Sequence, residues 1–531
     1  MTVSEIFSAF QITNTYSNID SDQLFCQPAR GIEFHNGDIP HSIPALSAEA
    51  FLETFSEIVT ELATSSSNTL LSELDILGPL NRSTLETWSP SHLLAVERCI
   101  HEYVDEHAQD HPQKQAVVST EGPNYTYAQL SALSSKLAVY LLGLGIEKGE
   151  VVPILFDKSS VAVLAIVAIL KAGNAYVGFS TETPLNFLRE CSRIADAPLI
   201  ITSPQHEHLV KKINRRALVL NPDLLKTLEN PTNIGDFSYP ATPSDLAYLV
   251  FTSGSTGVPK AVMTEHRAYV TDALAQQRSA LLNATSRVFH FASYNFDATN
   301  FDILSTLIAG GTICVPSEFD RINRLTGAIN DLGANFLGVT ATLAQTLDPD
   351  DVPLLKVVIL CGEANSTELV HKWTKPGAAP RDVINGYGPS EASCAFSYNV
   401  YTRQSPHANN VGRALEGACW GWVVNPNNHS QLLPVGAKGE LLIQGPTLSR
   451  GYLKEPEKTA KVFIESPDWL PAGISPELRR LYKTGDLVRQ LPDQSYEVFG
   501  RIDTQVKLNG QRIELGEIEH NIRSVSIIDT I

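Results

Sequence analysis

The chain has 531 residues, 43% of them hydrophobic and 18% charged, with a formal net charge of −18 at pH 7. That length exceeds a single hydrophobic core, so about two to four domains or subdomains are expected, and the apolar content is that of a globular enzyme. The negative balance disfavours nucleic acid or an anionic membrane as the main partner, but a small anionic ligand needs only a local cluster of donors.

The seven cysteines, at 26, 99, 191, 314, 361, 394 and 419, form no C-x-x-C pair. Such scatter argues against a zinc site or a disulfide framework and fits a reducing, cytoplasmic compartment. Met1-Thr-Val-Ser-Glu lacks the basic and apolar regions of a signal peptide. The most hydrophobic run, Val161 to Leu170, is too short to span a bilayer. No membrane association is expected.

In chain order, residues 1–95 differ in texture from the rest. A helical pattern at Ala45–Ala63 is followed by the Ser-rich break Ser65–Asn68. From His92 to about Ala108, Val96, Ile100 and Val104 recur at helical spacing and predict a long helix. Ala116–Ser119 and Tyr125–Tyr127 read as strands, and Ala128–Leu142 as a helix. Gly143-Leu-Gly-Ile-Glu-Lys-Gly149 follows that helix instead of joining a strand to one, so it is a helix stop, not a dinucleotide fingerprint. Val151–Phe156, Ala175–Phe179, Leu199–Thr202 and Ala217–Leu220 then read as strands, with a helix at Val161–Ala172. Strand and helix in alternation predict an α/β domain with largely parallel sheets. After about Val400 the pattern changes to short strands and Gly/Pro turns, at Trp422–Val424, Gly439–Ile443 and Tyr496–Phe499, which predicts a small β-rich subdomain. From Asp503 a further unit starts, with a strand and turn at Gln505–Gly510 and a helix at Glu514–Ile522. It has too few residues to form a domain.

Four stretches carry chemistry. Tyr248–Phe251 is a short apolar strand that empties into Thr252, Ser253, Gly254, Ser255, Thr256 and Gly257 and closes at Lys260, opening the next strand–helix unit. The glycines let backbone approach a ligand, while hydroxyls, free N–H groups and the lysine suit anionic oxygens. A surface linker is the bland alternative, but the buried strand before it and Pro259-Lys260 after it speak against one. The common P-loop spacing is absent, since only two residues separate Gly254 and Gly257 and Ala261 follows the lysine. The second stretch, Asn385-Gly-Tyr-Gly-Pro-Ser-Glu391, ends a strand in a tight turn that presents Tyr387, Ser390 and Glu391. A tyrosine there can stack on a base, worth about 1–3 kcal/mol, and a glutamate beside phosphates implies a bridging Mg²⁺. The third combines Asp486 with Arg501 and Asp503; a carboxylate can accept from both hydroxyls of a ribose. The fourth is Ser293–Phe301, which contains Asp297.

Together T-S-G-S-T-G-x-P-K, N-G-Y-G-P-S-E, Y-K-T-G-D and G-R-I-D resemble, in order and spacing, the adenylate-forming enzymes, and over residues 96–531 the adenylation domain of a nonribosomal peptide synthetase. The resemblance implies an α/β fold with two α/β subdomains up to about residue 400. A β-barrel-like subdomain over about 401–502 completes a large core spanning 96–502, Asp503 is the hinge, and 503–531 begin a C-terminal subdomain that is incomplete. The family's final motif, with a lysine that contacts substrate carboxylate and α-phosphate, lies beyond residue 531. Residues 1–95 resemble a condensation-to-adenylation linker, with a simple N-terminal extension as the equal alternative. The implied cofactors are ATP and Mg²⁺, with phosphopantetheine on a carrier domain outside this chain, and the implied partners are that carrier domain and a condensation domain.

Carried over residue by residue, the resemblance puts Thr252, Ser253, Lys260, Glu391 and Lys507 in the catalytic set and Mg²⁺ on Glu391. The nucleotide would meet Thr252–Gly257, Lys260, Gly362, Glu363, Ala364, Asn385, Tyr387, Gly388, Ser390, Asp486 and Arg501. Asp297 would pair with a substrate α-ammonium, with Ala298, Phe301, Gly338, Ile359, Cys361, Gly386, Cys394 and Ala395 lining the side-chain pocket. None of these eight is charged, and two glycines leave room, so a large neutral, most readily aromatic, amino acid is expected. Gly178-Phe-Ser-Thr-Glu-Thr-Pro184 departs from the usual proline-rich turn, with little functional effect expected. Two rival readings are an acyl-CoA or aryl-acid ligase, disfavoured by Asp297, and a non-catalytic docking module, disfavoured by the presence of Glu391 and Asp486.

Overall fold

The computed structural model describes residues 77–89, 93–229, 239–253, 258–375, 381–405 and, apart from 466 and 472, 407–503, as well as most of a hairpin over 505–514 and scattered residues elsewhere. The helix expected at Ala45–Ala63 lies mostly outside the described residues, as does the one expected at Glu514–Ile522. So do Gly254, Ser255, Thr256 and Gly257.

Two large sheets organise the described chain. In the first, Val151–Leu155, Ala175–Phe179 and Ile200–Thr202 are buried at every residue. A strand covered on both faces must be apolar throughout, and these are the continuous runs that the sequence shows. They lie parallel, in the order Leu246–Thr252, Ala175–Phe179, Val151–Leu155, Ile200–Thr202, Ala217–Val219. Helix Ser160–Lys171 is buried along almost its whole length, with Ser159 accepting from the Val161 N–H at its start. The turn Gly143–Gly149 follows helix Tyr127–Gly143, and Gly145 and Gly149 have positive φ, as a helix stop requires.

The unit that begins at Leu246 departs from expectation. Lys260–Glu265 pairs antiparallel with Leu246–Thr252, with Thr252 opposite Lys260, so the strands on either side of residues 254–257 are the two arms of a hairpin. Among the described residues, Lys260 opens a strand and not a helix, so no helix N-terminus follows this stretch directly. The predicted helix from His92 is also shorter than its spacing implied. It runs from Ile100 to Asp110, because the Cys99 N–H donates to Glu102 Oε1 at 2.9 Å and caps it. Residues 93–99 are not helical, and Val96 N–H donates to Thr271 Oγ1 at 2.8 Å.

The second sheet begins as α/β and ends as all-β. Gln115–Ser119, Thr312–Val315, Arg287–Phe289, Phe336–Val339, Val357–Cys361 and Asp382–Tyr387 are parallel neighbours in that order. Ser397–Tyr401 then pairs antiparallel with Asp382–Tyr387 and leads, through Asn410–Ala414, into the strands Tyr496–Arg501, Arg480–Gln490, Lys438–Gln444, Trp420–Asn425 and Asn428–Leu432. The β-rich texture expected after Val400 is therefore present as a continuation of the same sheet. Helix Pro79–Trp88 sits against it: Leu77, Leu85 and Leu93 share a core with Trp420, Trp422 and Leu442. Buried Asn81 accepts from the Val435 N–H at 3.2 Å. Beyond Asp503, Gln505–Leu508 and Gln511–Glu514 form a hairpin, so Glu514 ends a strand.

Candidate active site

Strand register builds the pocket wall. Gly338 lies opposite Ile359, Cys361 opposite Gly386, and Gly386 opposite Tyr398 on the next strand. Four of the expected pocket residues thus stand at the C-terminal ends of neighbouring parallel strands, where ligands of open α/β sheets bind. Phe301 opens a π-helical turn, Phe301–Ser305, and packs its ring against Phe336 at 5.6 Å between centroids. Such a turn swings side chains off the regular helical spacing and is frequent at functional sites.

Space beside Gly386 is smaller than its composition implied. A Cβ there would lie 3.0 Å from Ile359 Cγ2 and 3.1 Å from Tyr398 Cε1, so the glycine makes room for the Tyr398 ring instead of for a ligand. At Gly338 the nearest atom to an added Cβ is Asp302 Oδ1 at 3.9 Å. The segment Ser393–Cys394 has positive φ at both residues, +102° at Cys394, a conformation that side chains rarely adopt. Gly388 holds it in place: a Cβ on Gly388 would fall 2.5 Å from the Cys394 carbonyl oxygen and 2.6 Å from Ala395 Cα. The glycine turn and the strained pocket segment are in backbone contact.

The nucleotide-side residues converge from several elements. Thr252 Oγ1 is buried with no hydrogen-bond partner among the described residues, which suits an anionic oxygen. The ammonium of Lys260, at the other arm of the hairpin, lies 5.2 Å from the centroid of the Tyr452 ring. Tyr452 in turn donates to Glu391 Oε1 at 2.8 Å. Glu391 is fully buried. Among the described residues no group of three His, Cys, Asp or Glu could hold a metal by itself. A single carboxylate is nevertheless what Mg²⁺ takes from a protein when phosphates and water supply its other ligands, so the donor set fits.

Tyr387 donates to Asp486 Oδ2 at 2.5 Å. Burial and then the Asp486 charge push its phenol well above the ordinary range, so it stays protonated and remains the donor. Phe396 meets the Tyr387 ring at right angles, 6.1 Å between centroids, which fixes its plane. Asp486 lies directly across the ladder from Arg501, whose guanidinium bonds Asp486 Oδ1 at 2.8 Å and both oxygens of Asp503 at 2.7 Å. Each Asp486 oxygen keeps a lone pair for a ribose hydroxyl. Asn385 is turned into the wall. Its side chain accepts from Asn365 and donates to the Asn410 carbonyl, both at 3.0 Å.

Gly362, with φ +80°, and Glu363 meet the turn of the C-terminal hairpin. Gly510 N–H donates to Glu363 Oε1 at 3.0 Å, and Thr342 N–H to Glu363 Oε2 at 2.9 Å. Ala364 follows in the same segment. Lys507 stands in the first strand of that hairpin, opposite Arg512. Asp297 precedes Ala298 at the start of the short helix Ala298–Asn300 and accepts a hydrogen bond from Ser390 Oγ. The carboxylate expected at the amino-acid site and the turn expected at the phosphates are thereby one constellation.

Sequence reasoning missed three side chains here: Tyr398, Tyr452 and Asp302. Asp302 is fully buried beside His290 Nδ1, at 3.2 Å, and accepts from the Ala292 N–H at 3.0 Å. Burial pushes its carboxyl up to about 7, and burial brings Lys158, 2.9 Å from His290 Nε2, down to about 7. The available signal for Asp302 was its position one residue after Phe301 in an otherwise apolar run. Tyr452 shows its role only through tertiary contact. Replacing it with phenylalanine keeps the ring near Lys260 but removes a hydrogen bond to a carboxylate, worth about 1.5–3 kcal/mol. Activity of the Tyr452→Phe variant should fall by roughly one to two orders of magnitude at an almost unchanged melting temperature, read by steady-state kinetics and a thermal melt.

Residues 104–453 match the AMP-binding enzyme family, and the chain belongs to that family. Within it, the chain aligns with nonribosomal peptide synthetases. It is 40% identical over 462 residues to nonribosomal peptide synthetase 1 of Aspergillus fumigatus, covering 85% of this chain and 7% of that protein. To the N-benzoylphenylalaninol synthetase apmA of Penicillium brevicompactum it is 37% identical over 482 residues, 90% of this chain and 20% of that one. The chain therefore spans a fifth or less of the length of these relatives. Its fold is similar to that of holo-PA1221, a protein containing adenylation and carrier domains, with TM-score 0.69, 24% identity and coverage of 80% and 72%. It is also similar to the synthetase FmoA3 in its α-methyl-L-serine-AMP-bound form, with TM-score 0.73, 23% identity and coverage of 90% and 53%.

Proposed function

We propose that the chain activates an amino acid as its aminoacyl adenylate. A substrate carboxylate oxygen attacks the α-phosphorus of ATP, the bond from that phosphorus to the oxygen bridging to the β-phosphorus breaks, and pyrophosphate leaves. The observation that carries this reading is the Ser390–Asp297 hydrogen bond, which joins the ammonium-binding carboxylate to the Glu391 turn. An amino acid whose α-ammonium sits on Asp297 has its carboxylate one short step from groups suited to phosphate.

In this reading Tyr387 stacks on the base while Asp486, held by Tyr387 and Arg501, takes the ribose hydroxyls. Thr252, Ser253, the Gly254–Gly257 backbone and Lys260 hold the phosphates, whose charge develops further in the transition state. Glu391 is the protein ligand for Mg²⁺, which when bound supplies charge neutralisation at the phosphates. Phe301, Ile359, Tyr398 and Cys361 form the apolar part of a pocket for a large neutral side chain. Arg501 links the ribose carboxylate to Asp503, the proposed hinge between the core at 96–502 and the segment that follows. The aminoacyl group would pass to the phosphopantetheine thiol of a carrier domain, in a cytoplasmic synthetase that also holds a condensation domain. Residues 1–95 would be the linker to that domain.

Pyrophosphate exchange tests the reading. Amino acids should support it and the corresponding deaminated carboxylates should not. Exchange driven best by benzoate or a fatty acid would instead make the chain an aryl-acid or acyl-CoA ligase.

A further inference from the structure

Glu391 sits in a three-residue 3₁₀ turn, Ser390–Ala392, and both residues after it, Ser393 and Cys394, have positive φ. Regular structure therefore does little to fix its carboxylate. A second segment does. Ser393 Oγ donates to the Thr447 carbonyl at 2.6 Å, and the Ser449 N–H donates to the Glu391 carbonyl at 2.8 Å. The Tyr452 hydroxyl donates to the Glu391 carboxylate, also at 2.8 Å. Residues 447–452 thus grip Glu391 by backbone and side chain at once.

That segment is supported on two sides. On one, Gly451 and Tyr452 lie opposite Met263 and Val262 of the Lys260–Glu265 arm, and the Arg450 N–H donates to the Met263 carbonyl at 2.8 Å. On the other, a single side chain meets two successive carbonyls. Arg480 Nη1 donates to the Ser449 oxygen at 2.7 Å and Nη2 to the Arg450 oxygen at 2.9 Å. The guanidinium lies 4.0 Å from the centroid of the Phe463 ring, which fixes its plane. A planar fork of this kind fits two acceptors side by side, and an ammonium does not. The bland role for such a fork is to tie a loop down. Here one of the two residues it holds, Ser449, itself bonds Glu391. Arg480 also opens the strand Arg480–Gln490, which carries Asp486. One strand therefore sets the ribose carboxylate directly and the metal carboxylate through 449–452.

We infer that Arg480 is a positioning residue for the metal-binding carboxylate, acting on Glu391 through the carbonyls of Ser449 and Arg450 and the hydroxyl of Tyr452. This rests on the reading of Glu391 as the Mg²⁺ ligand given above. Without the fork, the 449–452 segment keeps its bonds to the Lys260–Glu265 arm but loses its second support, and Glu391 is no longer held at one place beside the phosphates.

Titration calorimetry of ATP binding to the full chain, once in Mg²⁺ and once in EDTA, tests this without turnover. The ratio of the two affinities reads what the metal-side carboxylate contributes. Arg480→Met, which removes the fork, should lower that ratio about tenfold, within the roughly 100-fold that a misplacement of about 1 Å can cost. Arg480→Lys keeps the charge but not the fork, and should lower it as well. Amino acid affinity should be unchanged in both. In the Glu391→Gln background, where the charge to be positioned is gone, neither substitution should move the ratio further. A wild-type ratio in both Arg480 variants, the same fall with and without the Glu391 carboxylate, or an equal loss of amino acid affinity overturns the inference. Thermal melts report folding, and loss of the fold in both variants would make Arg480 structural and overturn it too. A ratio that Glu391→Gln leaves unchanged would count against Glu391 as the metal ligand, whereas a ratio lowered by Glu391→Gln alone counts against Arg480 only.

Discussion

Replacing Asp297 with alanine should weaken amino acid binding by about 3–5 kcal/mol, roughly two to three and a half orders of magnitude, and leave ATP binding nearly untouched. The reason is the asymmetry of buried ion pairs: removing one partner strands the other charge away from water. In the variant the substrate α-ammonium would enter a pocket whose remaining walls, Phe301, Ile359 and Cys361, offer it nothing. Ser390 loses an acceptor as well, but a hydroxyl at that position can turn to a phosphate oxygen or water. Titration calorimetry with each ligand separates the outcomes. Equal losses for amino acid and ATP would show that Asp297 serves only to hold the Ser390 turn.

Glu391→Gln is the second large effect. The amide keeps the shape of the glutamate and an oxygen for Tyr452 to donate to, so the fold around Ser390–Ala392 should survive with its melting temperature nearly unchanged. What is lost is the negative charge. With no group of three ligating side chains among the described residues to replace it, the metal would be left with phosphate and water ligands. Activity should fall by about two to three orders of magnitude, comparable to removing one preorganised electrostatic group from an active site. The Mg²⁺ concentration for half-maximal rate should rise. A variant with the wild-type rate and the wild-type magnesium requirement would sink the assignment of Glu391.

The difference between what could be read from sequence and what could not is one of range. Tyr387, Glu391 and Asp486 were legible because each sits in a short segment whose local chemistry is unusual: a tyrosine between glycines, a carboxylate behind a Gly-Pro turn. The parallel strands were legible because burial on both faces forces an unbroken apolar run, as in Val151–Leu155. Periodicity misled at His92, where apolar spacing continued through residues 93–99 although the Cys99–Glu102 cap starts the helix at Ile100. It could not show that Leu246–Thr252 and Lys260–Glu265 form a hairpin, since strand direction is set by tertiary pairing. Tyr398 was missed for the same reason. Tyr398 fills the space at Gly386 only because Ser397–Tyr401 pairs with Asp382–Tyr387.

If the chain forms an aminoacyl adenylate, a carboxylate oxygen of the amino acid becomes bonded to the α-phosphorus of ATP. Isotope transfer tests it most directly. The chain is incubated with Mg-ATP and an amino acid labelled with ¹⁸O in its carboxylate, hydroxylamine is added to cleave the acyl bond at its carbonyl carbon, and the nucleotide products are weighed by mass spectrometry. Adenylation should yield AMP carrying one ¹⁸O, formed only when the amino acid is present. Label in inorganic phosphate with ADP as the nucleotide product, or unlabelled AMP, would contradict it.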